Sequence, residues 1–155
     1  MRGAPGFPNR TLDADHMNLL RLLAALTFGA TLIFTSLGKD VTAAQVNGTW
    51  EYKRNTFKVW ALGGGKLQVA FDGVYEYKSP AGLMANTGEG GGVAAIDGDT
   101  AVFRPEGFED GCKITMIFTG GKLVVKQEGE CGFGNRVLAD GTYQKVSGRK
   151  PSFDR

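Results

Sequence analysis

Few residues in this chain have the type and spacing for chemistry. Its one histidine, His16, lies ahead of a long apolar run. The segment beyond that run therefore holds no imidazole for a Ser-His or Cys-His nucleophile pair or for a metal shell. Two thiols, Cys112 and Cys131, do not complete a tetrahedral zinc site without histidine partners. Asp97 and Asp99 flank Gly98, which is turn chemistry, whereas a calcium loop needs many more oxygen ligands at set positions. The carboxylates of Glu109 and Asp110, or of Glu128 and Glu130, have the type of a glycosidase acid and base, but nothing sets either pair across a cleft. The runs Gly63-Gly64-Gly65-Lys66 and Gly120-Gly121-Lys122 lack the spacing and Ser/Thr of a phosphate-cradling loop and read as hairpin turns. No catalytic residue, cofactor or metal site is expected, and the chain reads as a non-enzyme.

The aromatic residues are more informative. Trp50, Tyr52, Phe57, Trp60, Tyr75 and Tyr77 gather in the first half of the apparent domain. They serve either as core filling or, through Trp50, Tyr52, Trp60, Tyr75 and Tyr77, as a cup for a small apolar ligand. Asn47-Gly48-Thr49 fits a glycosylation sequon, which matters only in a eukaryotic secretory pathway. The net charge is +2 and the two signs alternate along the chain, so no nucleic-acid partner is indicated.

From Met17 the sequence runs MNLLRLLAALTFGATLIFTSLGKDVTAAQ, with Arg21 near the start, an apolar stretch over Leu19 to Leu37 and small residues at the end. That order is a signal peptide over residues 17–44, with a mature start near Ala44 or Gln45. The alternative is a retained membrane anchor, since the apolar stretch approaches the roughly 20 residues that span a bilayer. In that case alone would the chain contact a membrane. Residues 1–16 read as a flexible leader or an over-long start, with Met17 as the true one. Export to a periplasmic or secreted location makes Cys112 and Cys131 a disulfide. A two-residue turn at Gly120-Gly121 would set Cys112 opposite Gly129, so a longer loop or a bulge at Gly129 must bring Cys131 into reach.

These residues need a scaffold, and the pattern is one of short strands. The 24 glycines against five prolines favour tight turns. GTWEYKRNTFKVWAL, KLQVAF, VYEYK, VAAI, TAVF, the two halves of the cysteine hairpin and a last strand over Thr142 to Val146 alternate or are β-rich. Asp72-Gly73 reads as a turn with Phe71 facing Tyr75, and Ser79 to Gly92 as a long loop. About eight strands joined by short turns predict an all-β domain over residues 45–146, a small antiparallel up-and-down barrel, with a two-sheet sandwich as the alternative. Residues 147–155 read as a frayed tail.

Two resemblances add to this. NGTWEYKRNTFKV and GKLQVAFDGVYE, with Gly48-Thr49-Trp50 opening the first strand, resemble the first hairpins of lipocalin-like and avidin-like barrels. ANTGEGGGVAAIDGDTAVF and the stretch from Cys112 to Val146 resemble a β-rich module of bacterial periplasmic proteins, some related to the LprI-like lysozyme-inhibitor family. Gln127-Glu128-Gly129, Cys131-Gly132-Phe133-Gly134 and Gly141-Thr142-Tyr143 carry that resemblance, while the cysteine-rich helical module of the family is missing. The expectation is an exported binding protein whose partner is a protein, with lysozyme inhibition as one form, or a small apolar ligand. Its rims are Ser79 to Gly92 and Pro105 to Gly111. A structural envelope protein is a third reading.

Overall fold

A computed structural model describes residues 40–153. The leader over residues 1–16 and the signal segment up to residue 39 lie outside the described residues.

Alternating inward apolar and outward polar side chains build eight antiparallel strands. They are β1 (Gly48–Tyr52), β2 (Asn55–Gly63), β3 (Lys66–Ser79), β4 (Gly82–Asp97), β5 (Thr100–Phe103), β6 (Cys112–Thr119), β7 (Lys122–Gly129) and β8 (Gly141–Ser147). Each pairs with the next, and β8 returns to β1, which closes an up-and-down barrel in the order predicted. Closure pairs the edges that an open sheet would leave bare. Among the described residues a single short helix, α1 (Ala43–Val46), precedes β1 and occupies the second half of the expected cleavage region. We call the end of the barrel that carries α1 and the turns at Gly64, Gly98 and Gly120 the base, and the opposite end the arm end.

The interior is packed with rings. Phe57 lies 4.8 Å from Phe71 and 5.0 Å from Tyr143 between centroids, and Trp50 meets Phe118 edge-on at 5.7 Å. Trp50, Phe57, Phe71, Phe103 and Tyr143 are all at most 1% exposed. Among the described residues no polar or charged side chain is buried.

Two expectations are overturned. Asp72-Gly73 is not a turn: β3 runs straight through it, and Phe71 pairs with Gly90, not with Tyr75. Nor is Ser79 to Gly92 a loop, since all but its first three residues form the start of β4. The true turn is at Pro80-Ala81, where the Ser79 hydroxyl donates to the Gly82 carbonyl and accepts the Ala81 N–H. The physical reason lies in the inward face of β4. Gly88, Gly90 and Gly92 alternate there, and the volume they leave is filled from elsewhere in the chain. A Cβ on Gly88 would lie 1.4 Å from the Phe133 carbonyl oxygen, and one on Gly90 2.5 Å from the Phe133 ring.

That filling segment is the connection between β7 and β8, which we call the plug. Phe133, Val137 and Ala139 are buried, and the Phe133 ring stacks at a tilt 4.6 Å from Phe71. The Cys112–Cys131 disulfide anchors the plug, with a Cα–Cα distance of 4.7 Å. Cys112 does pair with Gly129 across a two-residue turn. Gly129, at φ 79°, then bends the chain out of the strand so that Cys131 swings back to its partner.

Beyond β8 the chain is described as far as Phe153. Lys150 sits 5.9 Å over the Trp60 ring, and Phe153 borders hollows on the outer surface beside Lys58, Ala70 and Gly91.

Candidate functional site

The five aromatic residues expected to form a cup are dispersed. Trp50 is core near the base, where its indole N–H donates to the Val46 carbonyl at 3.0 Å. Tyr52 faces inward at the other end of β1, with its ring 5.6 Å from Tyr143. By strand alternation Trp60 points outward, against Lys150. Tyr75 and Tyr77 stand apart from all three, stacked at 6.1 Å on the part of β3 that has left the barrel wall.

That part is the distinctive feature. β3 pairs with β2 only as far as Asp72, while its pairing with β4 continues to Ser79 and Gly82. The outer halves of the two strands therefore project as a two-stranded arm. An isolated hairpin is marginal in water, so the arm needs bracing. The plug supplies it: Asn86 Nδ2 donates to the Asn135 carbonyl at 2.8 Å, and Arg136 Nη1 donates to the Tyr75 hydroxyl at 3.2 Å, with its guanidinium 5.7 Å over the Tyr75 ring. Asn55 ties the same region together, accepting the Val74 N–H and donating to the Leu138 carbonyl.

Beyond this brace the arm is open. Tyr77 is half-buried and faces Met84 across the strands, while Leu83 is 68% exposed. Phe108, in the β5–β6 connection, and Leu138, in the plug, are exposed at the same end. The expected rims thus do share one end of the barrel, although only the tip of the first is a loop. Leu83, Met84, Phe108 and Arg136 were not singled out from the sequence, and Phe133 entered only as part of a resemblance. Leu83-Met84-Ala85-Asn86 does not alternate with period two, so the sequence carried no strand signal for the first two.

The remaining polar groups work locally. Glu109 Oε1 accepts the Gly107 N–H, and backbone N–H groups of Glu109 and Gly107 hold its carboxyl below its ordinary value. Lys113 does the same for Glu128 through a 2.6 Å hydrogen bond and its charge. Asp99 accepts from the Thr100 hydroxyl in its turn. Asn47 Oδ1 accepts the Ala61 N–H at 2.6 Å, so the sequon asparagine is engaged in the fold. Burial pushes the Tyr143 hydroxyl, which donates to the Ala139 carbonyl, well above its ordinary value. Burial also lowers Lys145, whose ammonium lies 5.1 Å over the Trp50 ring. Among the described residues no three His, Cys, Asp or Glu side chains group as metal ligands.

No protein-family model matches the chain, and no curated protein or solved structure matches it.

Proposed function

We propose that the chain is an exported, non-enzymatic binding protein, periplasmic or secreted, that holds a protein partner at its arm end, with inhibition of a lysozyme as the concrete form. One observation carries this reading: a plug-braced arm presents Leu83 and Met84 to solvent beyond the barrel wall, with half-buried Tyr77 facing Met84. Aromatic and methionine side chains on a pre-ordered element bind with little ordering cost, and a projecting hairpin fits a concave partner such as an enzyme cleft. The Cys112–Cys131 bridge is consistent with an oxidising compartment. A carrier of small apolar ligands would need a hollow inside the barrel, and rings occupy that volume.

The test is a panel of lysozymes titrated with the purified barrel to near-stoichiometric ratio, beside a Leu83→Glu, Met84→Glu double variant. Inhibition by the wild type that drops at least ten-fold in the variant, at unchanged melting temperature, is the expected result. Full activity of every lysozyme would refute the inhibitor assignment, and equal inhibition by both proteins would refute the arm.

A further inference from the structure

The residues just ahead of β1 bear on where export processing cuts the chain. Val41 packs against the core, and its N–H donates to the Gly98 carbonyl at 3.4 Å. Thr42 is the N-cap of α1: its N–H and its hydroxyl both donate to Gln45 Oε1, at 2.8 and 3.0 Å, and its carbonyl accepts the N–H groups of Gln45 and Val46. The Ala43 carbonyl accepts the Asn47 N–H at 2.8 Å, and the Ala44 carbonyl holds the Lys145 ammonium at 2.6 Å. Val41 and Ala44 thus tie this segment to the base of the barrel, and the bonds of Thr42 and Ala43 build α1 itself. In turn α1 seats Val46 in the core and presents the carbonyl that takes the Trp50 indole N–H.

A cut after Ala43 or Ala44 would remove the cap and the first turn of this helix. It would also either set a new α-ammonium beside the Lys145 ammonium or delete the Ala44 carbonyl that the ammonium binds. The sequence upstream offers a different cut. The apolar stretch from Leu19 to Leu37 is followed directly by Gly38, and the small side chains of Ser36 and Gly38 stand at the third and first positions before Lys39. A cut after Ala43 would instead leave the charges of Lys39 and Asp40 between the apolar core and the scissile bond.

We infer that signal peptidase cuts between Gly38 and Lys39, releasing a barrel that begins at Lys39 and keeps Val41 to Ala44. Water adds across that peptide bond, leaving a carboxylate on Gly38 of the signal fragment and an ammonium on Lys39 of the barrel. The inference rests on the export reading. Its test is intact-mass measurement on the full chain expressed in a bacterial host with Sec export, after separation of extracytoplasmic, membrane and cytoplasmic fractions. Extracytoplasmic protein with the mass of residues 39–155 is expected. A start at Ala44, Gln45 or any other residue, or an uncleaved chain in the membrane fraction, overturns the cut and leaves export standing. Full-length protein confined to the cytoplasm overturns both. As a second measurement, Gly38→Leu leaves at least ten-fold more uncleaved precursor, while Ala43→Leu with Ala44→Leu, at two exposed positions, is processed as the wild type. The opposite pattern overturns the cut.

Discussion

Gly88→Ala adds one methyl group to an ordinary strand position, and on local grounds it should help. Its backbone lies outside the left-handed region, so alanine meets no backbone strain there. Replacing a strand glycine by alanine typically gains ~0.5–1 kcal/mol of stability. The new Cβ, however, would sit 1.4 Å from the Phe133 carbonyl oxygen and 2.3 Å from its carbon. Both are backbone atoms with no rotamer to change, so the plug must lift by roughly 2 Å to reach ordinary van der Waals contact. Lifting withdraws the Phe133 ring from Phe71 and loosens the Asn86 and Arg136 brace. Emptying a buried phenylalanine site costs ~3–5 kcal/mol, which leaves ~2–4 kcal/mol net destabilisation after the local gain. For a barrel of this size that is a drop in melting temperature on the order of 15 °C. Gly148→Ala is the control, because a Cβ there meets nothing within 4 Å. Urea unfolding followed by tryptophan fluorescence reads both variants. A Gly88→Ala protein within ~0.5 kcal/mol of wild type, the usual range for harmless surface changes, would refute the plug-on-strand contact and the bracing argument with it.

Three further outcomes follow from the same geometry. Replacing Cys112 and Cys131 together by alanine should cost ~3 kcal/mol in the chain-entropy model for a bridge of 19-residue separation; unchanged urea unfolding would contradict a formed bridge. Tyr143→Phe should cost ~1–2 kcal/mol, because the Ala139 carbonyl loses its buried donor, and in the wild type the absorbance change from Tyr143 ionisation should appear only as alkali unfolds the barrel. Glu128 should titrate by NMR below its ordinary value of 4.5, and Lys113→Ala should return it upward. Because its folded value is depressed, the stability this pair contributes is present above 4.5 and lost as pH falls through the lowered value; a Glu128 midpoint unmoved by the lysine substitution would remove the pair.

The closed barrel and the disulfide were legible because they rest on local signals: period-two alternation, a Gly-Gly turn, and two cysteines on inward-facing positions. The expected strand number survived two offsetting errors. The β1–β2 turn at Lys53-Arg54 was missed, since Lys53 takes a positive φ of 56° where glycine or asparagine is the usual signal. Asp72-Gly73 was read as a turn, although Gly73 sits mid-strand because a side chain there would collide with Phe71 and Val137. The part of β4 before Val93 was hidden for a related reason, although VAAI was read as a strand. Its inward face there is Gly88, Gly90 and Gly92, so it has no apolar alternation of its own, and atoms that fill the space at Gly88 and Gly90 come from a plug distant in sequence. The arm was invisible for the same reason, because its brace consists of long-range contacts such as Arg136 to Tyr75. Trp50 and Trp60 looked alike in sequence, and only their opposite strand parity separates core from outer surface.

The most direct test of the proposed binding at the arm end is site-directed photo-crosslinking in the cells that express the chain. A benzophenone side chain would replace Leu83 at the arm or Leu62 near the base, both more than half exposed. The account predicts one defined protein adduct from position 83 that is lost with Met84→Glu, and none from position 62. Equal adducts from both positions, or none from position 83, would contradict it.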